Sequence, residues 1–273
     1  MSARDGIHKY DEYSNKFRKY VNGLIEQSRR LYPTALQILA DRRRMPKRIF
    51  EEAEVFYIGK MQEMLLPEFI DDIGMFGVIN ANNERPIFEE RWVFPIKDYC
   101  GNIINLVGYT WMHDVRYVYG TGKYYERSND FYGAERLNAI YKEGWGIVVE
   151  GITDCVALRS IGMWNSLAWC GTTKSAVKVN QLERLKFGAI FIHDRDEAGD
   201  KTREHWIIPR CARINIASGN KDIDEYLHSR EITSNEELES RETELRLTVM
   251  DSSNWLKQGL NNAGHIEKGF TLF

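Results

Sequence analysis

Residues 147 to 217 alternate short apolar stretches with helix-like ones, and this alternation constrains the fold more than any other feature of the chain. Ile147-Val148-Val149 reads as a short buried strand, and Asp154 to Ile161 as a helix stopped by Gly162 at a C′ position. Ser166 to Cys170 is a second strand and Ser175 to Leu185 a second helix. Ala189 to Ile192 is a third strand, Glu197 to Ile207 a third helix, and Ala212 to Ala217 a fourth strand. Strands separated by helices predict a parallel α/β sheet, whose functional groups gather at the carboxyl ends of the strands.

Acids stand at those ends. Glu150-Gly151 follows the first strand, and Asp154 comes one helical turn later, so both carboxylates can point into one crevice. His193-Asp194-Arg195-Asp196 follows the third strand, and Asp222-Ile223-Asp224 comes just past the fourth. In an extended D-x-D both carboxylates project to the same side. Like charges a few ångströms apart repel strongly unless cations neutralise them. Oxygen donors without Cys or His suit Mg²⁺ or Mn²⁺ rather than zinc, and two or more such ions can clamp the oxygens of a phosphoryl transfer. A lone D-x-D is usually a loop with a helix N-cap, and Asp194, Asp196, Asp222 and Asp224 could each do only that. The ordered set, strand-E-G-x-x-D, strand-D-x-D-x-x-G, then D-x-D, is far more specific. His193 could tune the acids beside it, although a lone His in such a place is more often structural.

The first 60 residues read as helical, with apolar spacing at Tyr20, Leu24 and Leu31, then Leu36, Ile38 and Leu39, interrupted at Pro33. They carry 13 Lys/Arg against 8 Asp/Glu, densest at Arg42, Arg43 and Arg44. That run is either a solvated helix end or a nucleic-acid contact. Arg91 to Ile96, a turn over Asp98 to Gly101, and Ile103 to Tyr109 form a hairpin signature. Tyr117 to Tyr125 is rich in Tyr and Gly around Lys123. Residues 221–251 hold 10 Asp/Glu and 4 Lys/Arg, which suits a solvated terminal helix or a partner-docking segment.

With a net charge of −3 the chain is not a basic coat for nucleic acid, so any such contact must use a local patch or metal ions. Its apolar runs are too short to span a bilayer, and its first residues lack the apolar core of a secretory signal. The 4 cysteines form no C-x-x-C pair, which argues against a zinc ribbon and a disulfide framework and suits a cytoplasmic setting.

Val149-Glu150-Gly151-Ile152-Thr153-Asp154, Gly171-Thr172-Thr173 and Asp194-Arg195-Asp196-Glu197-Ala198-Gly199 resemble a Toprim domain, the fold shared by DnaG-type primases, topoisomerases and several nucleases. Phe56-Tyr57-Ile58-Gly59, the hairpin Arg91-Trp92-Val93-Phe94-Pro95-Ile96-Lys97-Asp98-Tyr99-Cys100-Gly101, and Lys123-Tyr124 resemble the DnaG-type primase core. The resemblance covers roughly residues 30–230. It implies a mixed α+β primase-core lobe over 1–140, a Toprim parallel sheet flanked by helices over 141–230, and an acidic tail or helix over 231–273.

By this resemblance Glu150 serves as acid, base or metal ligand. Asp194 and Asp196 bind divalent metal, and Asp154, Asp222 and Asp224, which match further acids of the primase branch, would join them in holding it. Arg91, a planar charged fork, and Lys123 would steady phosphate. Tyr124 beside Lys123 could stack on a base or ribose, and Arg42, Arg43 and Arg44 would meet nucleic acid. The implied activity is synthesis of short RNA primers on single-stranded DNA from ribonucleoside triphosphates, with Mg²⁺ or Mn²⁺ and no zinc. The alternatives are a Toprim nuclease, against which the hairpin block speaks, and a non-enzymatic replication module binding DNA or a helicase. The sequence lacks the family's Cys/His zinc ribbon and any G-x-x-x-x-G-K-[ST] loop, and has Val107-Gly108-Tyr109 where the family often has Gly-Gly-Arg. The architecture suits a bacteriophage system working in the host cytoplasm. A separate zinc-ribbon protein would then act in trans, a replicative helicase is a candidate partner for the tail, and no membrane is involved.

Overall fold

In the computed structural model, apolar residues three and four apart make Ala3–Leu31 one long amphipathic helix that stops ahead of Pro33. The structure describes residues 3–64, 66–79, 85–125, 129–171, 175–195, 208–216, 220–229 and 231–258, without the side chains of residues 3–7 and 215. The chain divides into two units, Met1–Tyr125 and Glu126–Phe273.

The first unit holds the predicted hairpin inside a four-stranded antiparallel sheet. Its strands are β1 (Phe56–Ile58), β2 (Arg91–Lys97), β3 (Ile103–Tyr109) and β4 (Tyr117–Tyr119), in the order β1-β2-β3-β4. The turn between β2 and β3 is built by Asp98, whose Oδ1 accepts from the backbone N–H of Cys100 at 2.8 Å and Asn102 at 2.9 Å. Pro95 is tolerated inside β2 because β1 pairs only with Arg91, Trp92 and Val93, leaving that side of Pro95 without a ladder bond to make. Phe17, Tyr20, Val21 and Leu24 of the first helix form one core with Phe56, Ile58, Val93 and Leu106 of the sheet. Phe76 stacks on Phe17 at 4.8 Å and on Tyr20 at 5.0 Å. A short helix, Ala35–Arg43, is tied to β2 through Trp92, whose indole N–H donates to the Ala35 carbonyl at 2.9 Å.

The second unit is the predicted parallel sheet. Its strands are β5 (Trp145–Val149), β6 (Ser166–Ala168), β7 (Gly188–His193) and β8 (Cys211–Asn215), in the order β6-β5-β7-β8, all parallel. β7 is buried throughout and β5 over all but its first residue, as expected of central strands covered on both faces. The helix Ile152–Ser160 links β5 to β6. The helix Ala176–Glu183 lies between β6 and β7, with the Ser175 side chain accepting from the Lys178 N–H as its cap. The helix expected over Glu197 to Ile207 lies outside the described residues. Leu137 and Ile140, on the helix Leu137–Glu143, share the core of Val148 and Phe191. The acidic region forms a helix, Asn235–Gln258, that buries Leu245, Val249 and Leu256 and packs on β7, β8 and the helix Ile223–His228.

Candidate active site at the ends of the parallel strands

The order β6-β5-β7-β8 places the chain reversal between β5 and β7: the connection from β5 leads to one side, and the chain then returns to the other. Crevices at such switch points, at the carboxyl ends of the strands, are where open α/β sheets bind ligands. Glu150 is the first residue past β5 and Asp194 the first past β7, so the switch point is flanked by two carboxylates. They are bound together, because Glu150 Oε1 accepts the Asp194 backbone N–H at 3.1 Å. His193 Nδ1 lies 3.7 Å from the same oxygen. The Glu150 carbonyl accepts the N–H of Cys170, a non-glycine residue at φ +60 just past β6. A backbone held in that region is strained, and here it lies beside a candidate catalytic acid.

The acids after β8 join from the other side. Asp154, on the first turn of Ile152–Ser160, accepts the Asp224 N–H through Oδ1 at 3.1 Å. Asp224 Oδ1 in turn lies 3.3 Å from His228 Nδ1. Asp222 caps the helix Ile223–His228, its Oδ1 accepting the Glu225 N–H at 2.8 Å. Arg195 fastens the loops after β7 and β8 together: its N–H donates to the Lys221 carbonyl at 2.7 Å and its Nη1 to the Ile216 carbonyl at 3.1 Å.

Burial pushes the Asp154 carboxyl well above the ordinary carboxylate range, and the charges of Asp222, Asp194 and Asp224 push it further. Asp222 is also raised, first by burial. This mutual repulsion among oxygen donors is what a hard divalent cation relieves, so the donor chemistry fits Mg²⁺ or Mn²⁺. Among the described residues, no three Asp, Glu, His or Cys side chains converge as a ready-made metal cage. Asp196, Thr172 and Thr173 lie outside the described residues.

In the first unit, Lys123 and Tyr124 sit on a loop held from several sides. The Lys123 N–H donates to the Met75 carbonyl at 3.3 Å and the Thr121 N–H to Gly77 at 3.1 Å. Gly77 stands at φ +68, and a Cβ there would lie 2.2 Å from the Gly122 nitrogen, so only glycine lets the two segments meet. The Tyr124 ring packs on Tyr13 at 4.7 Å and Tyr10 at 5.3 Å, and the exposed Lys123 ammonium lies 5.6 Å from the Tyr124 ring. Buried Asn105 completes the support by donating from Nδ2 to the Gly120 carbonyl at 2.9 Å. Asn105→Ala is expected to lower stability by about 1–2 kcal/mol, because it strands a buried carbonyl. Urea unfolding measures that loss, and an unchanged midpoint would show that the bond contributes nothing.

A model of the Toprim-like family matches residues 147–227. The DNA primase of Synechococcus elongatus is 29% identical over an alignment of 168 residues that covers 56% of this chain and 24% of that one. The structure of the Aquifex aeolicus primase zinc-binding and RNA polymerase domains matches with a TM-score of 0.71 and 19% identity, over 92% of this chain and 65% of that one. A DnaG primase catalytic domain bound to single-stranded DNA matches with a TM-score of 0.64 and 20% identity, over 87% and 84%. The chain matches a DnaG-type primase catalytic core with a Toprim domain. It spans about a quarter of the length of the curated primases it matches (24% for the Synechococcus protein).

The remaining residues singled out from sequence fall in different settings of this primase-core fold. Arg91 is buried, and its Nη1 donates to the Val115 and Arg116 carbonyls at 2.9 and 3.2 Å, clasping the loop between β3 and β4. Arg43 lies 4.5 Å from the Tyr109 ring centroid, and Arg42 lies 5.3 Å from that of Trp111, which stacks on Trp92. Arg44 is exposed and ends its helix at φ +53. Sequence reasoning missed Asn105 and His228 as supports. The readable signal for the second was the spacing Asp224-x-x-x-His228, which on a helix brings the two side chains together. No helix among the described residues is long and apolar enough to cross a membrane.

Proposed function

We propose that this chain is the catalytic core of a primase that joins ribonucleotides on a single-stranded DNA template. The observation that carries the reading is the gathering of Glu150, Asp154, Asp194, Asp222 and Asp224 past the ends of β5, β7 and β8, beside the switch point of a Toprim-like sheet. The likeness to a primase domain bound to single-stranded DNA supports the choice of template.

Glu150, Asp194, Asp196 and Asp224, with Asp154 behind them, would hold Mg²⁺ or Mn²⁺. Such ions supply Lewis-acid charge to phosphate oxygens during in-line displacement. In the reaction the primer 3′-hydroxyl bonds to the α-phosphorus of the incoming nucleotide, the bond to the β-phosphate oxygen breaks, and pyrophosphate leaves. A carboxylate of the site, Glu150 in this reading, takes the hydroxyl proton. Asp222 shapes the site by capping the helix that carries Asp224. Lys123 meets phosphate and Tyr124 steadies the nucleotide beside it. Arg91 contributes through the loop it clasps, and Arg42, Arg43 and Arg44 lie along the template. A zinc-ribbon protein and a replicative helicase are candidate partners in this reading.

The test is incubation with single-stranded DNA, labelled ribonucleoside triphosphates and Mg²⁺ or Mn²⁺, with and without EDTA. Short RNA products that vanish with EDTA are expected. Metal-dependent shortening of the DNA, with no need for nucleotides, would replace this reading with the nuclease.

A further inference from the structure

We infer that His228 is a positioning residue that fixes the carboxylate of Asp224 for a divalent cation. The inference rests on the metal reading above. Asp224 is fixed at two points by two different partners: its backbone N–H is held by Asp154 Oδ1 at 3.1 Å, and its Oδ1 lies 3.3 Å from His228 Nδ1. The first contact sets where the residue stands and does not involve the carboxyl group, whose terminal torsion is broad and softly restrained. The second contact restrains that torsion. A proton on Nδ1 makes the imidazole a donor to Oδ1 and holds the carboxylate plane in one orientation.

The setting makes the contact more than a surface pairing. Asp224 is 5% exposed and His228 8%, so neither exchanges its partner readily for solvent. The helix that carries both has only six residues, Ile223–His228, too short to be stable without further contacts. Asp222 caps its start, Asp154 holds it from the helix Ile152–Ser160, and His228 meets Asp224 one turn along it. Partners of this kind, one step removed from the metal, act on affinity by orienting the donor rather than by touching the ion.

The experiment measures Mn²⁺ binding by electron paramagnetic resonance on the full chain, without nucleotide or DNA. It compares the unaltered protein with His228→Ala and His228→Asn, taking each variant's thermal midpoint by circular dichroism. Asparagine places an N–H near the position of Nδ1. Binding roughly 10- to 100-fold weaker in His228→Ala, largely restored in His228→Asn, is the expected result. Equal affinity in His228→Ala and the unaltered chain would overturn the inference alone. So would equal weakening in both variants that tracks a common drop in midpoint, since packing would then explain the loss. Failure of the unaltered chain to bind Mn²⁺ would overturn the metal reading and this inference with it.

Discussion

On the primase reading, Asp194→Asn is expected to reduce primer synthesis about 10²- to 10³-fold while leaving the fold intact, a loss on the scale of removing a preorganised group that stabilises transition-state charge. The variant keeps the shape of the side chain and the backbone N–H that Glu150 accepts, so the crevice between β5 and β7 retains its bond. It removes one negative charge from a site where like charges already repel, Asp154 being raised partly by Asp194 itself. The loss therefore belongs to the chemistry and not to folding. Product formation on single-stranded DNA, read beside circular dichroism and the thermal midpoint, separates the two. Undiminished synthesis in a normally folded variant would remove Asp194 from the reaction and, with it, the reading of the strand-end acids as a reaction centre.

The sequence revealed the parallel sheet because a central strand must be apolar on both faces, and Ile147 to Val149 and Ala189 to Ile192 show that locally. The strand order was not legible, since alternation fixes direction and not which neighbour lies on which side. It is that order which places Glu150 and Asp194 at one crevice. Asp222 was ambiguous for a physical reason: D-x-D before a helix is equally the pattern of a cap, and the bond to Glu225 shows that the cap is made. The clasp of Arg91 was not legible, because it closes on carbonyls 24 and 25 residues away, which no local pattern reports. In the acidic tail the count of charges obscured a helical stripe, Leu245, Val249 and Leu256, that buries one face of Asn235–Gln258. The aromatic seat of Arg42 and Arg43 was likewise hidden, since Tyr109 and Trp111 are distant in sequence from the basic run they meet.

Asp154→Asn is expected to stabilise the chain in EDTA near neutral pH, by on the order of 1 kcal/mol or more, since a folded pKa one unit above the unfolded value costs about 1.4 kcal/mol once the group ionises. Asp154 is buried at the start of its helix, and its folded pKa lies well above the ordinary 3.8, through burial first and then the charges of Asp222, Asp194 and Asp224. Between the unfolded and folded values the native state binds more protons than the unfolded chain, so stability falls as pH rises through that window. The penalty is fully present above the folded value and disappears below 3.8. An asparagine Oδ1 still accepts the Asp224 N–H, so the variant keeps the link between the two helices and loses only the charge. Thermal melts in EDTA across the acid range should therefore show a metal-free unaltered chain that gains stability on acidification, and a variant with a flatter profile. Adding Mn²⁺ should raise the unaltered chain more than the variant, because a ligand stabilises the state that binds it in proportion to its affinity. The two shifts have one cause: carboxylates that burden the metal-free fold are those able to hold a cation. Identical midpoints and pH slopes in EDTA would mean that Asp154 carries no such burden, and the electrostatic argument for a cation beside it would fall.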